Sequence, residues 1–540
     1  MNTIEGKCAS EGVARGPVFV VTAPKVEVLE KKTKNSRSEI QRFWTAKEKA
    51  KEQIKELLDK SGDDAGSIGA SIFEAYIIYL DDGRFKNDVV KMILNENASA
   101  AYAVKTIGEK YIKVVDNIKD NPRLRARIVD LEDIINRLIL CLEDEDVRVD
   151  VPDKPSIIVA RDLTPSQFFS IGRENVKGLV IERGSYNSHL AILARTYDIP
   201  LIINAKNATL NVSNGQDCAL YATKDKFIVL PTDEKIQEIR EAIKKDDLEK
   251  EKLQRFKGHD TLTHGGERII LYANVSSLEE IDKALKNDAE GVGLFRTEYI
   301  YLSSKTLPTE EEQFNIYKEA IEKVDGKIIV FRTVDIGGDK QAPYLDQIPC
   351  INPSMGSRGI RFSMNNKKIF KVQLRALYKA SYYGKDNVKV MYPMITAPEE
   401  IDWIKGVSKE VEEELIHEKV KYALPGQGAV IETPAAALVA DMIAPKVEFM
   451  SIGTNDLSQF LYAADRMNSY VDLHDYSDEA MRRIIKNIIK AGEKEGIPVG
   501  LCGDLSSNKE TLKWVIDAGI KGLSVQPRQI LLFRKYIREL

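Results

Sequence analysis

The sequence predicts an α/β protein in two parts: a C-terminal (β/α)8 TIM barrel, and an N-terminal α/β domain with an inserted helical bundle. Three observations predict it. β-rich runs and helix-patterned stretches alternate eight times across residues 259–540. Nearer the start, short β-rich runs stop by residue 22 and resume only after Val151-Pro152. Clusters of arginine, carboxylate, amide and thiol side chains follow the apolar runs of the C-terminal half, at the end of the strands where barrel active sites are built. A doubly wound open sheet is the alternative for that half, and the third observation favours the barrel.

Size and composition bound the rest. At 540 residues the chain exceeds one ordinary core, so several domains are expected. Hydrophobic residues at 43% and charged residues at 30% describe a soluble globular protein, and a net charge of −4 gives no electrostatic reason to expect nucleic acid as partner. No apolar run reaches the roughly 18 residues of a membrane helix, and no signal-peptide pattern opens the chain, so no membrane insertion is expected. The five cysteines (Cys8, Cys141, Cys218, Cys350, Cys502) are isolated, odd in number and without CxxC spacing, which suits reduced thiols of a cytoplasmic protein.

Residues 1–22 combine small and β-branched residues, a turn feeding a strand. Residues 23–147 are charged, with apolar residues at helical spacing such as Ile54, Leu57 and Leu58, or Leu131, Ile134, Ile135 and Leu138. Gly62, Gly83 and Asn121-Pro122 punctuate this stretch, so a bundle of about four helices is expected. β-rich runs return at 157–159, 178–181, 201–203 and 227–230. The simplest reading is one α/β domain, 1–22 plus 148–231, with the bundle inserted. Residues 232–258 form a charged helical linker. Candidate barrel strands follow at 268–273, 291–295, 327–331, 388–392, 429–431, 448–452, 497–501 and 522–525.

The polar clusters carry the chemistry. Arg296, Arg332 and Arg358 follow or lie near barrel strands two and three, with Arg466 further on; guanidinium forks suit phosphate oxygens, although a lone arginine is usually a surface ion pair. Glu432 and Asp456 follow strands five and six and suit a hard, oxygen-seeking ion such as Mg²⁺. Asp456 equally suits the cap of a helix starting at Leu457. Asn455 offers a neutral amide to a phosphate oxygen. Cys502 ends strand seven, a buried cysteine or a general acid for a carbon centre. The loop Asp335-Ile336-Gly337-Gly338-Asp339-Lys340 turns the chain or lets backbone approach a ligand. His189 stands where a small polar segment meets an apolar helical pattern, a cap or contact in the plain reading. In the chemical reading it is a nucleophile toward phosphorus at a helix N-terminus.

Taken together these segments resemble the Enzyme I family of the sugar phosphotransferase system, the phosphoenolpyruvate–protein phosphotransferases. The resemblance rests on Gly6 through Gly16-Pro17, Ile72-Phe73-Glu74-Ala75 with Leu80-Asp81-Asp82, and Arg127 through Asp133. It extends through Asp162-Leu163-Thr164-Pro165-Ser166 and Ser188-His189 with Ile192-Leu193-Ala194-Arg195. In the barrel it covers Gly291–Glu298, Leu307–Gln313, Arg332–Lys340, Asn352-Pro353 with Gly356 and Arg358, Ile431–Leu438, Ser451–Asp456, Asp465–Asn468 and Cys502-Gly503.

The resemblance implies a mechanism. Glu432 and Asp456 would hold Mg²⁺ and phosphoenolpyruvate, with Arg296, Arg332, Arg466 and Asn455 around the substrate's phosphate and carboxylate. Arg358 would stabilise charge on the group in transit, His189 (supported by Thr164) would accept it, and Cys502 would protonate the enolate to pyruvate. Phospho-His189 would pass the group to a histidine of the carrier HPr, docked on the helical insert. The linker would then act as a hinge, and the chain would dimerise through the barrel.

Departures from the family pattern are Asn187 for threonine, Leu190 for a small hydroxyl residue, Cys350 for an acidic residue and Asp504 for glutamate. The stretch after Asn468 is shortened, and the glycine-containing turn near 221–226 is absent. The alternative reading is a regulatory or partner-binding paralogue that binds phosphoenolpyruvate without efficient transfer to HPr. A dikinase or phosphoenolpyruvate synthase would need a nucleotide-binding domain for which the chain has no room, and no sensory domain precedes the opening motif.

Overall fold

The computed structural model describes residues 2–21, 28, 30, 32–60, 68–116, 122–143, 150–184, 188–302, 304, 306–337, 344, 352–464, 478–503 and 509–540. The chain divides into two compact units, Met1–Lys250 and Glu251–Leu540.

The first unit opens with β1 (Asn2–Glu5), β2 (Lys7–Ser10) and β3 (Val13–Val21). Five helices follow: α1 (Ser36–Lys60), α2 (Ile68–Asp81), α3 (Gly83–Glu96), α4 (Ala100–Asp116) and α5 (Pro122–Leu142). Then come β4 (Ser156–Ala160), α6 (Pro165–Ile171), β5 (Val176–Ile181), α7 (His189–Thr196), β6 (Leu201–Ile203), β7 (Asp217–Tyr221), β8 (Lys226–Val229) and α8 (Asp233–Gln254).

The strands form one eight-stranded sheet in the order β1-β8-β7-β3-β4-β5-β6-β2. Its centre, β3 to β6, is parallel, and β4 is buried at every position, as expected of a strand covered on both faces. The helical stretch gives five helices among the described residues where about four were expected. Gly83 separates α2 and α3 as expected; the extra break lies at Asn97, which ends α3 in the left-handed conformation at φ 52°, and α4 begins at Ala100. β7 escaped the sequence reading because its five residues include a leading aspartate and two small side chains.

The second unit holds β9 (Ile270–Val275), α9 (Leu278–Lys286), β10 (Gly291–Arg296), α10 (Glu298–Leu302), α11 (Glu310–Lys323), β11 (Ile328–Arg332), α12 (Ile360–Asn365), α13 (Lys367–Ser381), β12 (Val388–Tyr392) and α14 (Pro398–His417). It continues with β13 (Gly426–Ile431), α15 (Pro434–Leu438), α16 (Ala440–Ile443), β14 (Phe449–Gly453), α17 (Thr454–Leu461), α18 (Glu479–Glu495), β15 (Val499–Cys502), α19 (Lys509–Asp517), β16 (Gly522–Val525) and α20 (Ile530–Arg538).

All eight candidate barrel strands form, and β16 pairs with β9 to close a parallel barrel, which rules out the open sheet. Leu294, Val330, Met391, Val430, Phe449 and Cys502 pack together inside the ring. Gly428 makes room for the Phe449 ring, since a Cβ there would lie 2.4 Å from it. The surrounding helices bury one face each. In α18, Met481, Ile485, Ile488 and Ile489 recur at helical spacing between the Asp478 N-cap and the left-handed Gly496. Each such side chain contributes about 1.5–3 kcal/mol, so a charge at Ile488 would detach the helix.

Candidate active site

The C-terminal rim of the barrel gathers most of the residues singled out above. β10 and β11 run in register with Arg296 beside Arg332, β13 delivers Glu432 one residue past its end, and Gly453 of β14 pairs with Cys502 of β15. A polar brace holds the first two strand ends behind the rim. The Thr297 hydroxyl donates to the Arg332 carbonyl at 2.8 Å, and Gln373 donates to Thr297 at 3.0 Å while accepting from the Val334 N–H at 2.9 Å.

Buried arginines and carboxylates interlock at the centre. Arg358 is 2% exposed and makes two forks: Nε and Nη2 donate to Asp335 at 2.9 Å each, and Nη1 and Nη2 donate to Asp456 at 2.9 and 3.0 Å. Arg332 donates to Glu298 and lies 3.3 Å from Asp335, while its Nε has no acceptor among the described residues. Burial disfavours charge on both arginines. The carboxylates outweigh it, Glu298 and Asp335 for Arg332 and Asp335 and Asp456 for Arg358, and both stay cationic.

Gly337 explains why Arg358 stands over Asp335. At φ +117° and with a would-be Cβ 1.9 Å from the Ser357 carbonyl, it lets the two loops touch. The approach is to the backbone of Ser357 and Arg358 and not to a ligand; Gly338-Asp339-Lys340 lie outside the described residues.

Glu432 is buried and accepts from the Met394 N–H at 2.7 Å. Burial pushes its carboxyl pKa up, and the Asp456 charge pushes further, against the pull of Arg332. Asp456 does not cap a helix at Leu457: α17 starts at Thr454, and the Asp456 carboxylate turns to Arg358 instead. Asn455 sits half-buried on the first turn of α17. Cys502 is 7% exposed and accepts a hydrogen bond from the Ser451 hydroxyl at 3.0 Å. Burial raises its thiol pKa, the Ser451 bond and the nearby Arg332 and Arg296 oppose this, and Glu432 adds to it. The thiol therefore keeps its proton at neutral pH and has one to give.

His189 and Thr164 belong to the first unit. His189 opens α7 after the Ser188 cap, with a side chain 36% exposed. Its Nδ1 meets Asp130 of α5, at 3.1 Å from one carboxylate oxygen and 3.3 Å from the other. Thr164 caps α6 in a capping box with Gln167, and its side chain favours the charged form of Asp133. Leu190, where the family pattern has a hydroxyl residue, is buried in the core beneath α7. Arg466, Asn187, Cys350 and Asp504 lie outside the described residues.

Sequence reasoning gave no role to Glu298, Asp335, Ser451 and Asp130. Each stood inside a quoted segment, but only as a neighbour of a more conspicuous residue. An arginine fated for burial needs a buried carboxylate, and asking for that partner was the signal that could have found Glu298 and Asp335.

Three family models match the chain in succession: the N-terminal part of a PEP-utilising enzyme (residues 5–127), its mobile domain (152–224) and its PEP-binding domain (250–540). Fold and rim thus define a phosphoenolpyruvate-utilising enzyme. The Phosphoenolpyruvate-protein phosphotransferase of Priestia megaterium is 34% identical over 542 residues, covering 99% of this chain and 94% of its own length. That of Bacillus subtilis (strain 168) is 34% identical over 550 residues, covering 100% and 95%. This chain belongs to the phosphoenolpyruvate–protein phosphotransferase family. A solution structure of an Enzyme I protein aligns with 45% of this chain and 99% of its own, at 29% identity and a TM-score of 0.39, too low to say more about the fold. No helix among the described residues is long and apolar enough to cross a membrane.

Proposed function

We propose that this enzyme moves the phosphoryl group of phosphoenolpyruvate to His189 and from there to a histidine of the carrier protein HPr, releasing pyruvate as the first step of sugar uptake by a phosphotransferase system. The observation that supports it is the convergence of Arg296, Arg332, Arg358, Glu432, Asp456 and Cys502 on one barrel rim from separate strand ends.

The donor set fits a divalent cation. Glu432 and Asp456 offer hard oxygen ligands whose mutual repulsion raises the Glu432 pKa, a cost that a cation relieves. Mg²⁺ would be held by these two carboxylates, with substrate oxygens and water completing its shell. When bound, the ion would supply charge neutralisation to the phosphate and a Lewis acid to the oxygen that leaves it.

The chain's own residues do the rest. Arg332, whose Nε has no acceptor among the described residues, Arg296 and Asn455 take up the phosphate and carboxylate; the family resemblance gives Arg466 the same task. The Arg358 guanidinium faces the charge on the group in transit. The phosphorus–nitrogen bond to His189 forms as the phosphorus–oxygen bond to the enol breaks. The enolate takes the electron pair, and the protonated Cys502 thiol gives its proton to the terminal carbon. Docking of HPr on the helical insert (23–147), a phosphohistidine domain of 1–22 and 148–231, a hinge in 232–258, dimerisation through the barrel and a cytoplasmic location complete the reading.

The test is incubation with Mg²⁺ and phosphoenolpyruvate labelled on phosphorus. Acid-labile label should appear on the wild type and be absent from a folded His189→Ala variant, and HPr should remove it. Retained phosphoenolpyruvate binding without label would instead support a regulatory paralogue.

A further inference from the structure

Beside the proposed acceptor, three helices of the first unit bring together a tyrosine and two carboxylates that the transfer scheme above does not use. Asp130, 5% exposed on α5, sets both oxygens within 3.3 Å of His189 Nδ1. Tyr76, 1% exposed on α2, reaches Asp130 at 3.3 Å and Asp133 at 3.1 Å with one hydroxyl. The Phe73 ring packs edge-on against the Tyr76 ring, 5.8 Å between centroids. The side chains of Ser166 and Thr164, at the start of α6, favour the charged form of Asp133 against its burial.

A neutral imidazole has one protonated nitrogen and one lone pair, and the partner of one nitrogen decides which. A carboxylate at Nδ1 requires the proton there. Nε2 of this partly exposed ring then carries the lone pair, so the nucleophile is ready without a prior proton shift. When phosphorus bonds to Nε2, the electron pair of the broken phosphorus–oxygen bond leaves with the enolate. The ring keeps its Nδ1 proton and becomes a phosphoimidazolium. Its new positive charge arises next to Asp130, in a buried setting where a charge-assisted hydrogen bond is strongest. Burial first, and then Asp133 and Asp130, push the Tyr76 pKa well above the usual value. Tyr76 therefore remains a hydrogen-bond donor throughout.

We infer that Asp130, held by the Tyr76 hydroxyl, fixes His189 as the Nδ1–H tautomer and shares the charge its ring gains on phosphorylation. Both are positioning residues for the acceptor. The inference rests on the reading of His189 as the phosphoryl acceptor.

The test uses the full chain with ¹⁵N-labelled histidine, the His189 signals being assigned by their loss in His189→Ala. The wild type should show a protonated Nδ1 and a bare Nε2. Asp130→Leu should drift to the solution mixture of tautomers and take label from phosphoenolpyruvate ~10–100-fold more slowly, the worth of one charge-assisted hydrogen bond. Asp130→Asn keeps an acceptor but no charge, so the tautomer should persist while labelling slows. It also serves if Asp130→Leu does not fold. Tyr76→Phe should keep the tautomer and slow labelling a few-fold. A protonated Nε2 in the wild type, or Asp130 variants with unchanged tautomer and labelling, overturns the inference while the transfer reading stands. A wild type with the Nδ1–H tautomer and no label sinks the transfer reading and the charge-sharing half together, and upholds the tautomer half.

Discussion

Asp335→Asn removes one charge from the middle of the rim while keeping its shape. Asp335 is fully buried, accepts two bonds from Arg358 at 2.9 Å each, and lies 3.3 Å from Arg332. Asparagine retains one acceptor and turns an NH₂ toward a guanidinium that also only donates. Bonds of this charged kind are worth about 1.5–3 kcal/mol each. Breaking a buried pair costs about 3–5 kcal/mol, and the surviving fork to Asp456 offsets part of that. A loss of about 3 kcal/mol is expected, which for a unit of this size lowers its melting temperature by roughly 6–12 °C. With one of its two anchors gone, Arg358 also loses its fixed aim, and labelling of His189 should fall on the order of 100-fold. Calorimetry and single-turnover labelling read the two effects. A melting temperature within about 1 °C of wild type and a rate within about twofold would refute the claim that this carboxylate holds the arginines in place.

Cys502→Ala should leave label transfer to His189 near the wild-type rate while pyruvate formation from the enolate slows by about 10²–10⁴, the usual worth of a positioned acid; equal losses in both steps would show that the thiol is not the proton donor. Gly337→Ala should cost at least about 2 kcal/mol of barrel stability by thermal unfolding, since the side chain would strike the Ser357 carbonyl 1.9 Å away at a φ of +117°. A neutral outcome would mean that the two loops do not touch. Asp81→Asn tests the helical insert: burial pushes the Asp81 carboxyl up, but Lys51 and Lys47 outweigh this and lower it from 3.8 to about 2. A depressed carboxylate stabilises the fold above its unfolded pKa and loses that contribution as pH falls through the folded one. The variant should therefore be less stable by about 1 kcal/mol at pH 7, after discounting for the 42% exposure of Asp81. The gap to wild type should close between about pH 4 and pH 2, and a gap that persists at pH 2 would point to packing instead of charge.

The barrel was legible because each strand is a short apolar run followed by polar residues, a pattern that survives without tertiary knowledge. Glu432, Cys502 and Arg296 could therefore be assigned to one rim from position alone. The partner of each charge was not legible. Asp456 read equally well as a helix cap, since local sequence does not reveal that Arg358, 98 residues away, would claim both of its oxygens. The helix count in the insert went astray at Asn97, whose left-handed conformation ends α3 where no glycine or proline marks a break. The surroundings of His189 were equally hidden: Asp130 and Tyr76 lie 59 and 113 residues before it in the chain, and only the packing of α2, α5 and α7 makes them neighbours.

Such partners matter because a rim built to bind a small anion must first survive without it. Arg332 and Arg358 are buried, and an uncompensated buried guanidinium would cost several kcal/mol. Glu298, Asp335 and Asp456 supply the compensation. Glu432 and Asp456 are left to repel each other, a repulsion that the nearby Arg332 and Arg358 only oppose. A cation would relieve that repulsion, and the Arg332 Nε–H has no acceptor among the described residues. An ion and a phosphate ester arriving together satisfy both deficits with little rearrangement of the backbone. Lone arginines or lone carboxylates at the same positions could be stable or receptive, and the interlocked set is both.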